Sequence, residues 1–160
     1  MQQPKRKTLI FLSTMLLFLL ASCGGGAPKV DWQIHVTGDV ATPFDISYKE
    51  LAAMPQIDLS GILMEKSTGE DEITSWSGVP ITEILEQAGV TDYSSITAFA
   101  SDGYAVEITA DEMQGAIIAM KDSGEWIADV TPDKGPIRLV CPQTPASRWV
   151  FQLQELQINK

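Results

Sequence analysis

Histidine is nearly missing from this chain: it occurs once in 160 residues, beside two cysteines and 11 Lys+Arg against 21 Asp+Glu. Each shortage excludes something. A metal site needs several His, Cys or carboxylate ligands converging, and the lone His35 sits on the polar side of an alternating strand pattern, which predicts a solvated side chain. A single histidine also leaves no persuasive Ser-His-Asp set, and neither a glycine-rich phosphate loop nor a dinucleotide fingerprint is present. The formal charge of -10 gives no basic patch for nucleic acid, whose phosphates must be neutralised by Lys and Arg. Nucleic acid is excluded as a partner.

Long hydrophobic runs are also scarce. Leu9 to Leu20 is apolar apart from Ser13 and Thr14, follows the cations Lys5, Arg6 and Lys7, and precedes Leu20-Ala21-Ser22-Cys23. A membrane span needs about 20 apolar residues, so this run reads as a signal peptide over residues 1–22. Leu-Ala-Ser-Cys resembles the bacterial lipobox, which implies that Cys23 becomes the lipidated first residue of the mature chain. Residues 23–29 then form the anchor and a flexible Gly-rich tether, and the expected location is extracytoplasmic, with the lipid as the membrane partner. Loss of three cations from 11 leaves 8 against 21 acids, a mature charge of -13. With Cys23 acylated, Cys141 is the only thiol, so no intramolecular disulfide forms.

Residues 30–160 carry the folded domain, and their patterning predicts an α+β class. Val30, Trp32, Ile34 and Val36 alternate with polar residues, as in a half-buried strand. Ser47-Tyr48-Lys49-Glu50 is a capping box opening a short helix before Pro55, and Thr109-Ala110-Asp111-Glu112 repeats that pattern. Strands are expected at Ile57–Glu65 and Glu72–Trp76, at Ser95–Ala100 and Tyr104–Ile108, at Ile117–Met120 and Glu125–Ile127, and at Ile137–Cys141 and Trp149–Ile158. The last should carry a bulge or bend, because its apolar parity changes between Leu153 and Leu156. Ile81, Ile84, Leu85 and Ala88 share one helical face, with Pro80 at the first turn and Gly89 as a left-handed stop.

Few residues are candidates for chemistry. The acids Glu70-Asp71-Glu72 near Glu65 lack the spacing of a calcium loop and read as solvated. Cys141 lies between Leu139-Val140 and Pro142, and strand alternation puts Arg138 on the opposite face. With no cation beside it, the thiol reads as buried and inert.

The order of motifs carries more information. Ile46-Ser47-Tyr48-Lys49-Glu50-Leu51 is followed by Trp76-Ser77-Gly78-Val79-Pro80, then Ser101-Asp102-Gly103-Tyr104, Gly135-Pro136-Ile137-Arg138-Leu139-Val140 and Arg148-Trp149-Val150. This series resembles the oxidoreductase molybdopterin-binding domain of the sulfite oxidase superfamily, in its small stand-alone members. The resemblance implies layered mixed and antiparallel sheets with short helices. It also implies molybdopterin as cofactor, its molybdenum held in part by a protein cysteine upstream of the W-x-G motif, in the region matching residues 56–75. Here no cysteine stands between Gly24 and Val140. The expectation is therefore a fold without the cofactor or a metal and without catalytic residues: a ligand-binding or accessory module for a small molecule or an envelope protein. A molybdopterin-dependent oxidoreductase or envelope electron-transfer component is the alternative, and a purely structural lipoprotein is the third. The expected cleft is framed by Trp76, Gly78, Asp102, Tyr104 and Arg138, with Arg138 paired to Asp102 or to an anionic ligand.

The lipobox reading has a direct test. Cys23→Ser is expected to block acylation, so that mass spectrometry of the membrane fraction finds no acylated mature chain. A mature-length acylated species from that variant would overturn it.

Overall fold

The computed structural model describes residues 26–160; the expected signal peptide and Cys23 lie outside them. Two sheets share one apolar core. The first runs β2-β1-β11-β5-β6, from β1 (Gln33–Gly38), β2 (Phe44–Ser47), β5 (Ser95–Ala100), β6 (Ala105–Thr109) and β11 (Leu153–Asn159). The second runs β10-β9-β7-β4-β3, from β3 (Ile57–Met64), β4 (Glu72–Pro80), β7 (Ile117–Asp122), β9 (Arg138–Val140) and β10 (Val150–Phe151), with the short β8 (Glu125–Trp126) paired to β7. Among the described residues only β1 and β11 pair in parallel, which their distance along the chain allows, since parallel neighbours cannot be joined by a tight turn. The remaining pairs are antiparallel.

Local chemistry explains most element boundaries. Ile34 and Val36 are fully buried, whereas His35 between them faces outward and meets Asp45 of β2 at 2.6 Å. Helix α1 (Tyr48–Ala53) starts on the expected capping box: Glu50 N–H donates to Ser47 Oγ at 3.3 Å, and Ser47 N–H donates to the Glu50 carboxylate at 2.8 Å. Thr109 and Glu112 make the same reciprocal bonds, at 3.4 and 3.0 Å. No α-helix follows there, however. Gly115 takes a left-handed φ of 74° after a single turn, and the chain leaves for β7. Helix α2 (Ile81–Gln87) buries Ile81, Ile84 and Leu85 and stops at Gly89, φ 67°. A third short helix, α3 (Ile127–Val130), takes up Ile127, which the alternation assigned to a strand.

Two larger differences from the sequence pattern matter for the site. Ser77 to Pro80, which lie beyond the expected strand Glu72–Trp76 and lead into the expected helix with Pro80 in its first turn, instead continue β4. They are held in the sheet because β7 pairs with their far edge at Gly78↔Ala119, Val79↔Ile118 and Pro80↔Ile117. The terminal run Trp149–Ile158 is not one strand either. Gln152 adopts φ 48°, so β10 belongs to one sheet and β11 to the other. The expected parity change is present as well, as a register shift between Leu153 and Glu155.

At Gly78 the backbone of β7 lies close against β4. A Cβ there would stand 2.1 Å from the Ile118 carbonyl oxygen, beside the register shift between Ser77 and Gly78. The obstacle is backbone, which cannot rotate away. Gly78→Ala is accordingly expected to cost about 3 kcal/mol in urea denaturation, as overpacking of a core does. A loss below about 1 kcal/mol would show that the two strands part easily.

Candidate functional site

A cleft of about 700 Å³ opens between the end of the β3–β4 hairpin, the β7–β8 turn and the segment that follows α3. Arg138 of β9 forms its floor, and Trp76 of β4 and Phe151 of β10 stand beside it. The sheet register brings these residues together: Arg138 is opposite Phe151 on one side and Ala119 on the other, and Trp76 is opposite Asp122.

Arg138 is the unusual residue. It is 7% exposed, yet its side chain makes no ion pair among the described residues, and its Nε has no hydrogen-bond partner. Three aromatic rings surround the guanidinium instead, with centroids 3.6 Å (Phe151), 5.0 Å (Trp76) and 5.3 Å (Trp149) away. The two indoles meet edge to face at 6.0 Å, and Trp76 is fixed by its Nε1–H bond to Thr74 Oγ1 at 2.8 Å. Ring faces attract a cation but leave its N–H donors unused. Burial lowers the Arg138 pKa to about 10, opposed by the charge of Asp122, so the group remains cationic at neutral pH. Lys66 and Lys134 also line the cleft, against the carboxylates Glu72 and Asp122. Three cations against two anions give a positive spot on a strongly acidic chain.

Of the five residues expected to frame the site, Trp76 and Arg138 meet in this cleft. The other three stand elsewhere. Gly78 lies under β7, where its missing side chain is a packing requirement. Asp102 accepts from Tyr104 N–H at 2.9 Å and shapes the β5–β6 turn. Tyr104 is 41% exposed and approaches only the rim, where its hydroxyl donates to the carbonyl of Ser147, a lining residue, at 2.8 Å. The expected Arg138–Asp102 pair is therefore replaced by the longer-range influence of Asp122. Phe151, Trp149, Lys66 and Lys134 were missed in the sequence. Trp149 and Phe151 are two apart in a strand pattern, which puts them on one face, but nothing in the pattern says that this face meets Arg138.

The comparisons agree with this architecture. The sequence profile of the oxidoreductase molybdopterin-binding domain matches residues 25–160. The chain belongs to that family. Among solved structures it is similar to the sulfane dehydrogenase SoxCD from Paracoccus pantotrophus, with a TM-score of 0.71 and 19% sequence identity. That match covers 84% of this chain and 40% of the other, so this chain spans well under half of its length. The likeness confirms a sulfite-oxidase-type fold of mixed and antiparallel sheets. No curated protein matches.

The side chains present can be tested against the family's cofactor. A molybdenum-ligating thiolate would have to face the cleft. Cys141, the free cysteine among the described residues, is fully buried and does not line it. Its carbonyl accepts from Trp149 Nε1–H at 2.9 Å. Burial pushes the thiol pKa up to about 12, with Arg148 lowering it less than burial raises it. Met64 does line the cleft, but a thioether is a weak donor beside a thiolate. No group of three or more His, Cys, Asp or Glu side chains converges among the described residues. The donor set does not fit a thiolate-bound metal, while the unpaired cation of Arg138 does fit an anionic group.

Cys141 gives the check. The raised pKa favours the neutral thiol in the fold, so its contribution to stability is present below pH 9 and is lost as pH rises from 9 towards 12. At neutral pH the native protein is expected to resist a thiol reagent until denaturant is added. Rapid labelling of native protein would mean that the sulfur reaches solvent and could serve as a ligand.

Proposed function

We propose that this chain is a non-catalytic ligand-binding module of its family, holding a small anionic molecule against Arg138, and that a lipid on Cys23 tethers it to the outer side of a bacterial membrane. The observation that carries the binding reading is the buried, unpaired guanidinium at the floor of an open cleft. A buried charge without a counter-ion costs several kcal/mol, and an anion entering the cleft offsets that cost. Phosphate, sulfonate or carboxylate oxygens would accept from the free Arg138 donors in a charge-assisted bond. Lys134 and Lys66 would draw the anion in, although Lys66 is already bonded to Glu72. The aromatic walls suit a ligand with an apolar or planar body.

The absence of a cleft-facing thiolate supports a module without molybdenum, and the family's oxidoreductase chemistry is the competing reading. Protein made in a host that assembles the cofactor distinguishes them. We expect far less than one molybdenum per chain by elemental analysis. Near-stoichiometric molybdenum would restore the enzyme.

For the ligand, calorimetry with sulfate and phosphate is expected to show binding that Arg138→Met weakens at least tenfold, about 1.4 kcal/mol. Methionine keeps apolar contact with the three rings, so circular dichroism should remain native. Equal affinity in both proteins would remove Arg138 from the site.

A further inference from the structure

A second cavity, about 760 Å³, lies apart from the Arg138 cleft and shares none of its lining residues. It is a groove between residues 27–31 and α1. Its walls are largely apolar, with Pro28, Val30, Ala52 and Ala53 among them, and Lys29 and Lys49 are exposed at its rim together with Asp31. An apolar trough edged by lysines is an unusual feature on a chain with almost twice as many acids as bases.

The position of the groove says what covers it. Cys23 precedes Ala27 by four residues, and an extended chain spans at most about 3.5 Å per residue, roughly 14 Å in all. A lipid at Cys23 therefore holds this face near the headgroups whatever the orientation of the rest. The rest of the surface, the Arg138 cleft apart, is acidic on balance and is repelled by anionic lipid, whereas the Lys29 and Lys49 ammonium groups are attracted and their stems lie along apolar surface. Both effects turn the same face downward.

We propose that the groove between residues 27–31 and α1 is the membrane-docking face of the domain, resting on the phospholipid bilayer that holds the anchor. The proposal depends on the lipid at Cys23 and is independent of what binds at Arg138. Docking adds apolar burial and lysine contacts to the acyl anchor and fixes the orientation of a domain that a glycine tether alone would leave free.

The test uses the full mature lipoprotein in vesicles of phosphatidylethanolamine with a minority of phosphatidylglycerol. An environment-sensitive fluorophore is attached through Ala53→Cys, at an exposed groove residue, or through Asp102→Cys, at the turn of the β5–β6 edge opposite β2. Buried Cys141 does not compete for label. Lipids bearing a shallow nitroxide are expected to quench the Ala53→Cys label several-fold more than the Asp102→Cys label, and Lys29→Glu with Lys49→Glu should reduce that difference. Equal quenching with the acyl mass present overturns docking and leaves the anchor standing. Absence of the acyl mass overturns both. Shielding of the Ala53→Cys label that persists without vesicles, in the unacylated Cys23→Ser chain, would mean that a second copy covers the groove, and this too overturns the proposal.

Discussion

The turn at Gln152 is the constraint on which the rest depends. Within eleven residues, Val150 to Lys160, the chain pairs with β9 in one sheet, passes through a left-handed residue, and then pairs with both β1 and β5 in the other sheet. A non-glycine residue at φ 48° is strained, and its surroundings hold it there. Its carbonyl accepts from Ser101 N–H at 3.0 Å, its side-chain oxygen accepts from the Ser101 hydroxyl at 2.7 Å, and its Nε2 donates to the Asp133 carbonyl at 2.9 Å. Ser101 begins the β5–β6 turn and Asp133 lies in the segment bordering the cleft. One side chain thus ties the β5–β6 turn of the first sheet to the segment that borders the cleft.

The position of Phe151 follows from that turn. It is the last residue before the crossover, opposite Arg138 in register, so its ring comes to lie 3.6 Å from the guanidinium. Trp149, two residues earlier on the same face, is locked from behind by the carbonyls of Cys141 and Thr144, at 2.9 and 3.2 Å. The cage around Arg138 is therefore built from the same segment that closes the fold. Its energetics are unbalanced in a useful way: cation–π contact recovers about 2 kcal/mol of a desolvation cost several times larger. An anion in the cleft that Arg138 lines would supply the missing partner.

Local patterns made much of the first sheet legible. Alternation at Ile34 and Val36, the Ser47–Glu50 capping box and the strand Ser95–Ala100 depend on neighbours in sequence and stand where the pattern puts them. The features that escaped are long-range. Ser77 to Pro80 combines a glycine and a proline ahead of an amphipathic helix, which locally favours a helix start, yet pairing with β7 extends the strand to Pro80. The bend at Gln152 lacks the glycine that usually marks a left-handed residue. Motif order places Trp76 and Arg138 in one expected cleft, and they do share one, but the neighbours that line it with them, Phe151 and Lys134, reach it only through tertiary folding.

Family membership and site chemistry separate at the cysteine. The matched region and the shared fold supply the cleft, whose walls come from backbone register and ring packing and need no metal to form. A thiolate ligand is a single side chain added to that scaffold, and this chain's one sulfhydryl among the described residues lies in the core instead, its proton held by burial. Moving it to the cleft would require a different strand, because Cys141 follows Val140 at the end of β9 with its backbone committed to Trp149 and Thr144. Arg138, three residues earlier, does face the cleft. The sulfur of Cys141 thus serves packing, while the cation of Arg138 is open to the cleft, and it is on that side chain and not on the shared fold that the proposed recognition of an anion rests.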